Sequence, residues 1–177
     1  MKKKLTYEEI RKIIIDKCIE QDACVPEFTK LKNAKTESDF WEVIKINYLW
    51  SFDNKIISVE LFENYDHKKL NDCQIFVSGT NILEAGLAIM MGGTLSDMRG
   101  GTLSNMRGGT LSDMRGGTLS NMWGGTLSNM WGGTLSDMRG GTLSDKIKKA
   151  SGTAVVRCLS TKKIYIKKGE FEIVYFD

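Results

Sequence analysis

Leucine and methionine recur through the middle of this chain at alternating separations of three and five residues, a rhythm that fits neither an α-helix nor a plain β-strand. From Gly92 to Ile147 seven consecutive octads read GGTLSDMR, GGTLSNMR, GGTLSDMR, GGTLSNMW, GGTLSNMW, GGTLSDMR and GGTLSDKI. The apolar residues hold the fourth and seventh places, as in Leu95 and Met98 or Leu103 and Met106. A glycine pair at every eighth step excludes a continuous helix, because each glycine costs about 1 kcal/mol relative to alanine inside one. Self-similarity at so short a period means a small unit stacked on its own copies, which points to a β-solenoid.

A strand alternates its faces at every residue, so two inward residues three apart require a bend between them. The expected bend is the sixth place, which toggles through Asp97, Asn105, Asp113, Asn121, Asn129, Asp137 and Asp145. Aspartate and asparagine share a short side chain and tolerance of left-handed backbone. The glycine pair is the second corner. One octad is too short to close around its own side chains, so a coil takes two octads or three, and two, about 16 residues with coils ~4.8 Å apart, is the preferred reading. With two, Arg99, Arg115 and Trp131 stack on one edge and Arg107, Trp123 and Arg139 on the other. With three, Arg99 pairs with Trp123, Arg107 with Trp131 and Arg115 with Arg139.

The flanks carry other periods. Thr6 to Glu9 is a capping box opening a helix to about Glu20, with Ile10, Ile13, Ile14 and Cys18 on one face. Pro26 suits the first turn of a second helix, and Thr36 to Asp39 starts a third whose apolar face runs from Phe40 to Tyr48. A short helix is expected near Val59 to Tyr65, a polar connection around His67, and a first strand from Gln74 to Val77. Glu84 to Met91 reads as a degenerate octad, with Leu87 and Met90 in the fourth and seventh places. Beyond Ile147, residues 153–159, 163–167 and 170–176 read as strands, the last two joined by a hairpin at Lys168-Gly169.

The fold class is therefore α+β: an N-terminal α-helical cap over residues 1–72, a central β-solenoid over 73–147, and a C-terminal antiparallel β-hairpin or sheet cap over 148–177. A charged terminal sheet protects an open solenoid end from edge-to-edge polymerisation.

A formal net charge of +3 is too mild for a dedicated nucleic-acid binder. No apolar run reaches the ~20 residues that span a bilayer, and the start turns acidic before any signal-peptide core, so a soluble cytoplasmic protein is expected. The four cysteines, Cys18, Cys24, Cys73 and Cys158, lack paired spacing and His67 is the single histidine, which argues against a metal site and for reduced, mostly buried thiols. His67, beside lysines, reads as solvated surface.

Glycine pairs followed by an aspartate resemble the calcium-binding β-roll of repeats-in-toxin proteins, in architecture only. The period here is eight, leucine replaces the third glycine, and asparagine replaces aspartate in three copies, so the calcium site is not carried over. A four-sided coil is similar to pentapeptide-repeat proteins, again in architecture only. Asp22, Cys24, Phe28, Leu31, Phe40, Trp41 and Trp50 resemble helical caps on solenoid proteins of gut bacteria and their phages, a likeness that implies no activity.

With leucine and methionine inside, the outward chemistry is the column Arg99, Arg107, Arg115, Trp123, Trp131 and Arg139. Exposed tryptophan and arginine are hot-spot residues, which points to a protein partner or a homodimer. The bland alternative is a self-contained cation–π ladder with the arginines neutralised by neighbouring aspartates. A secondary face of hydroxyls, Thr94, Ser96, Thr102, Ser104, Thr110, Ser112, Thr118 and Ser120, resembles the grids of ice-binding solenoids, although β-propensity alone explains the threonines. Polysaccharide or nucleic acid on the repeat face is the further alternative, and for nucleic acid the aspartates cancel much of the field. The repeats hold no histidine, metal-ligand cluster or phosphate loop, so no enzyme and no cofactor is expected.

Overall fold

The computed structural model describes residues 4–143 and, as backbone, the strands Val155–Cys158 and Lys163–Ile166. The Lys168-Gly169 hairpin and the strand expected over 170–176 lie outside the described residues.

Six helices come first. α1 (Tyr7–Glu20) starts at the expected capping box: Thr6 Oγ1 accepts from Glu9 N at 3.2 Å, and Glu9 Oε2 accepts from Thr6 N at 2.7 Å. α2 (Val25–Lys32) carries Pro26 in its first turn, and α3 (Glu37–Ile46) has a second reciprocal box between Thr36 and Asp39. The apolar face from Phe40 to Tyr48 is not one helix. Asn47 ends α3, its Nδ2 donating to the Val43 carbonyl at 2.9 Å and to Glu27 Oε2 at 3.1 Å, and α4 (Tyr48–Asp53) follows at once. α5 (Val59–Glu63) lies where a short helix is expected, and α6 (His67–Asp72) replaces the expected polar connection because the Asp66 carboxylate caps the amides of Lys68 and Lys69.

The strands are β1 (Ile75–Phe76), β2 (Thr80–Leu83), β3 (Leu87–Met90), β4 (Thr94–Met98), β5 (Thr102–Met106), β6 (Thr110–Met114), β7 (Thr118–Met122), β8 (Thr126–Met130), β9 (Thr134–Met138), β10 (Thr142–Leu143), β11 (Val155–Cys158) and β12 (Lys163–Ile166). Strands β1 to β11 alternate between two sheets, ordered β1-β3-β5-β7-β9-β11-β12 and β10-β8-β6-β4-β2. Thr94 pairs with Thr110 and Thr102 with Thr118, so a coil takes two octads, about 16 residues. All pairings are parallel except β11 with β12, an antiparallel turn-back at the end of the longer sheet.

The bend is not at the sixth place. Asp97 and its counterparts lie inside strands, and among the described residues the positive φ angles of the octads all belong to the second glycine of a pair. The ladder instead skips the fifth place: Leu95 pairs with Leu111 and Asp97 with Asp113, with Ser96 between them unpaired. There the side-chain alternation slips by one, which lets Leu95 and Met98 both point inward. The serine hydroxyl supplies the missing donor, Ser96 Oγ giving its proton to the Asn81 carbonyl at 3.0 Å and Ser104 Oγ to the Ala88 carbonyl at 3.1 Å, each on the preceding coil.

The glycine pair divides the corner's demands. A Cβ on Gly116 would lie 2.7 Å from the Arg99 carbonyl oxygen of the coil below, while Gly117 holds φ +76° and a Cβ there would lie 2.5 Å from the Gly101 oxygen.

Two cores share the first coil. Inside the solenoid Leu95, Met98, Leu103, Met106, Leu111, Met114, Leu119, Met122 and Leu127 are fully buried. The helices bury Trp41, Phe40, Phe62 and Tyr65 together with Ile75, Val77, Ile89 and Met91, the outward residues of the first strands of the longer sheet, whereas Phe76, Ala88 and Met90 face the solenoid interior. The helical layer therefore packs against the outside of β1 and β3. Leu87 is displaced from its expected inward place: it pairs with Thr102 and Ala88 with Leu103, the register recovering through a shift before Ile89. No helix among the described residues is long and apolar enough to cross a membrane.

Candidate interaction edges of the solenoid

The eighth place of each octad falls on an edge between the sheets, and because coils take two octads the six arginines and tryptophans divide into two columns. Arg99, Arg115 and Trp131 follow β4, β6 and β8; Arg107, Trp123 and Arg139 follow β5, β7 and β9. The columns have the same residue types and different surroundings.

The second column is partly covered by α4. The Arg107 guanidinium lies 3.7 Å from the Phe52 ring centroid, 5.7 Å from that of Tyr48 and 5.1 Å from that of Trp123, with its Nη2 3.7 Å from Asp53 Oδ1. Arg139 lies 4.4 Å over the other side of the ladder at Trp123. This is a cation–π stack continued from the helices into the coils. The Arg107 Nε and the Trp123 indole nitrogen are enclosed in it without acceptors. Burial raises the Tyr48 hydroxyl to a pKa of about 12, against the opposing pull of Arg107.

The first column is open. Trp131 is 43% exposed, and the side chains of Arg99 and Arg115 are 52% and 57% exposed. Its residues are held by carboxylates: Arg99 bridges Glu84 and Asp97, both at 2.8 Å, Arg115 Nε reaches Asp97 at 3.1 Å, and the Trp131 indole donates to Asp113 Oδ1 at 3.0 Å. Arg115 and Trp131 thus use one geometry, an N–H donated to the sixth-place carboxylate of the coil before. The Arg99 hydrogen bond above all, helped by the charges of Arg115 and Arg99, holds the Asp97 carboxyl below its ordinary range, outweighing desolvation, the second-largest influence.

Over the first four octads the sixth place differs between the sheets, and Asn129 and Asp137 depart from that pattern. Beside the open column stand Asp97, Asp113 and Asn129; beside the covered column stand Asn105, Asn121 and Asp137. Asn105 is 4% exposed, and an unpaired carboxylate there would lose its hydration, whereas an amide loses far less. The alternation Asp97, Asn105, Asp113, Asn121 follows the two-octad coil over four octads only, and ends at Asn129.

The hydroxyl-bearing residues are all half-buried. Thr94 stacks on Thr110 and Thr102 on Thr118, while Ser96 and Ser104 turn their hydroxyl protons to carbonyls of the preceding coil; Ser112 and Ser120 occupy the equivalent strand positions.

Sequence reasoning missed one polar cluster at the joint between helices and solenoid. His67 is half-buried, not solvated: its Nδ1 lies 2.7 Å from Ser78 Oγ, and the Ser78 carbonyl accepts from Asn71 and Asn81. His67 Nε2 and Asn71 Oδ1 are buried without partners. The cluster's hydrogen bonds span the turn between α6 and the first coil. Cys18 is buried, Cys24 exposed and Cys73 intermediate; desolvation raises the Cys18 thiol to about 11. No group of three metal-ligating side chains occurs among the described residues.

No protein-family profile, no curated protein and no solved structure matches this chain.

Proposed function

We propose that the chain is a non-catalytic interaction module that docks a protein partner through the open column of Arg99, Arg115 and Trp131. The observation that carries this reading is the covered column. Where the chain supplies its own cover, Arg107 takes Phe52 and Tyr48, two aromatic residues one helical turn apart, with Asp53 beside them and Trp123 on the next coil. The open column offers the same side chains at the same ~4.8 Å spacing between coils and, among the described residues, has no such cover. Its partner is accordingly a helix carrying aromatic residues four apart and an adjacent carboxylate. Arginine and tryptophan are the side chains that dominate such interfaces. The carboxylates matched to Arg99 and Arg115 disfavour phosphate backbones as the occupant.

The test uses the chain's own segment as a probe. A synthetic peptide of residues 37–54, spanning α3 and α4, is titrated into the isotopically labelled full chain and followed by amide NMR shifts. Shifts at Arg115 and Trp131, abolished by Trp131→Ser and preserved in Trp123→Phe, support the reading. Shifts elsewhere only, or none, reject it. Light scattering of the chain alone beside Trp131→Ser reports whether a second copy is the occupant instead.

A further inference from the structure

A cleft of about 450 Å³ opens where the α3–α4 junction overhangs the outer face of β5 and β7, within the size range of small-molecule sites. Its floor is amide and hydroxyl, from Ser104, Asn105 and Asn121, and its wall is apolar, from Leu49, Trp50 and Leu87. We propose that this cleft binds a neutral sugar, a hexose unit of a glycan. The inference is independent of the docking role of the open edge.

The floor asks for hydrogen-bond donors, and the reason can be read from the network. Ser104 has spent its single proton on the Ala88 carbonyl at 3.1 Å, so toward Asn105 it can only accept. Asn105 therefore presents Nδ2 to Ser104 Oγ, at 3.2 Å, and its amide orientation is fixed. The remaining atom, Asn105 Oδ1, is a buried acceptor without a donor on a side chain that is 4% exposed. Such an atom has given up its hydration with nothing in return until a donor reaches it. Asn121 is fixed the same way: Nδ2 donates to the Ser104 backbone carbonyl at 3.1 Å, leaving Oδ1 as its acceptor end. The two asparagines pair across adjacent coils, so both amides belong to one patch of the floor.

The rest of the lining selects the class of donor. Lys45 is 6% exposed and its Nζ is held by the Leu87 carbonyl at 2.8 Å and by Glu42 Oε2 at 2.6 Å, so the ammonium is neutralised and two of its three protons are in use. A site of balanced charge favours a neutral ligand over an anion or a cation. Trp50 is 39% exposed and Leu49 40% exposed beside the cleft, the aromatic and aliphatic surface that the C–H face of a sugar ring covers. A polyol with an apolar face and several O–H donors matches the chemistry of this lining.

The test applies saturation-transfer NMR and calorimetry to the full chain with methyl glucoside, methyl galactoside, methyl mannoside, N-acetylglucosamine and cellobiose, and with a capped alanine dipeptide for comparison. At least one sugar is expected to bind in the millimolar range or tighter and to shift the side-chain amides of Asn105 and Asn121. Asn105→Leu removes the unmet acceptor, so it is expected to keep or raise the melting temperature while weakening that sugar about tenfold or more. Asn121→Ala, at a less buried position, is expected to show the same loss and covers the case in which Asn105→Leu fails to fold. No binding by any of the sugars at about 10 mM, binding by the dipeptide alone, or unchanged affinity in a folded variant overturns the proposal.

Discussion

The guanidinium of Arg107 lies 3.7 Å from the centroid of the Phe52 ring, joining the second strand of a repeating coil to a helix more than fifty residues earlier in the chain. With Asp53 at 3.7 Å and Trp123 on the next coil, it is one of the points at which the helical layer grips the coils. Phe52→Leu keeps apolar area and removes the ring, and is expected to cost about 0.5–2 kcal/mol. A double-mutant cycle with Arg107→Met, read by urea denaturation, should return a coupling of that order; a coupling near zero would mean that the stack is only proximity.

The glycine corners should be ranked by what their Cβ atoms meet. Gly117→Ala combines a positive φ of +76° with backbone at 2.5 Å and is expected to cost about 2–4 kcal/mol. Gly116→Ala has the close contact alone, 2.7 Å, and is expected to cost about 1–3 kcal/mol. Melting temperatures of the two variants in the reverse order would contradict this division of labour.

Ser96→Ala tests the slip in the ladder. The Asn81 carbonyl would lose the hydroxyl that meets it at 3.0 Å, and a loss of about 1 kcal/mol is expected. Hydrogen exchange should increase at β2 and β4 before it increases at β8.

Asn105→Asp places a carboxylate at a site that is 4% exposed. The variant is expected to be at least about 2 kcal/mol less stable than the parent at neutral pH. Because burial raises the folded-state pKa of such a carboxyl, the deficit should shrink as the pH falls through that raised value toward the unfolded ~3.9, below which the group is neutral in both states. Denaturation midpoints at pH 7 and pH 4 measure it.

Alkaline pH should weaken the helical layer through groups kept protonated by burial. The Cys18 thiol is raised from 9.0 to about 11 and the Tyr48 hydroxyl from 10.0 to about 12. With folded values above unfolded ones, the unfolded chain releases protons first; stability is intact below pH 9 and falls between about 9 and 12. At pH 9 iodoacetamide should modify exposed Cys24 well before Cys18, and equal rates would show that the layer opens on the reaction timescale.

The inward columns were legible because Leu95 and Met98 repeat with a fixed offset that only stacking explains. The caps at Thr6 and Thr36 were legible because the reciprocal bond is local. The bend was misplaced because Asp97 looks like a turn residue in isolation, whereas Ser96 becomes the pivot only when a carbonyl of the coil below stands within reach of its hydroxyl. The break at Asn47 was hidden because Tyr48 keeps the helical phase of Phe40 while the Asn47 amide turns back on Val43 and Glu27. The unequal edges were hidden for a different reason: Arg107 and Arg115 sit in identical octad contexts, and only the position of α4, set by the helical core, tells them apart.

The sixteen-residue coil places a rule of parity on the gene. Gain or loss of a single octad by slippage during replication would send every later repeat to the opposite sheet, bringing Asp113 to the overhung side and Asn121 to the bare one. Removal or addition of octads in twos leaves each side chain on its own edge and changes only how far the molecule extends. Lineages of this protein are therefore expected to differ in length by even numbers of octads.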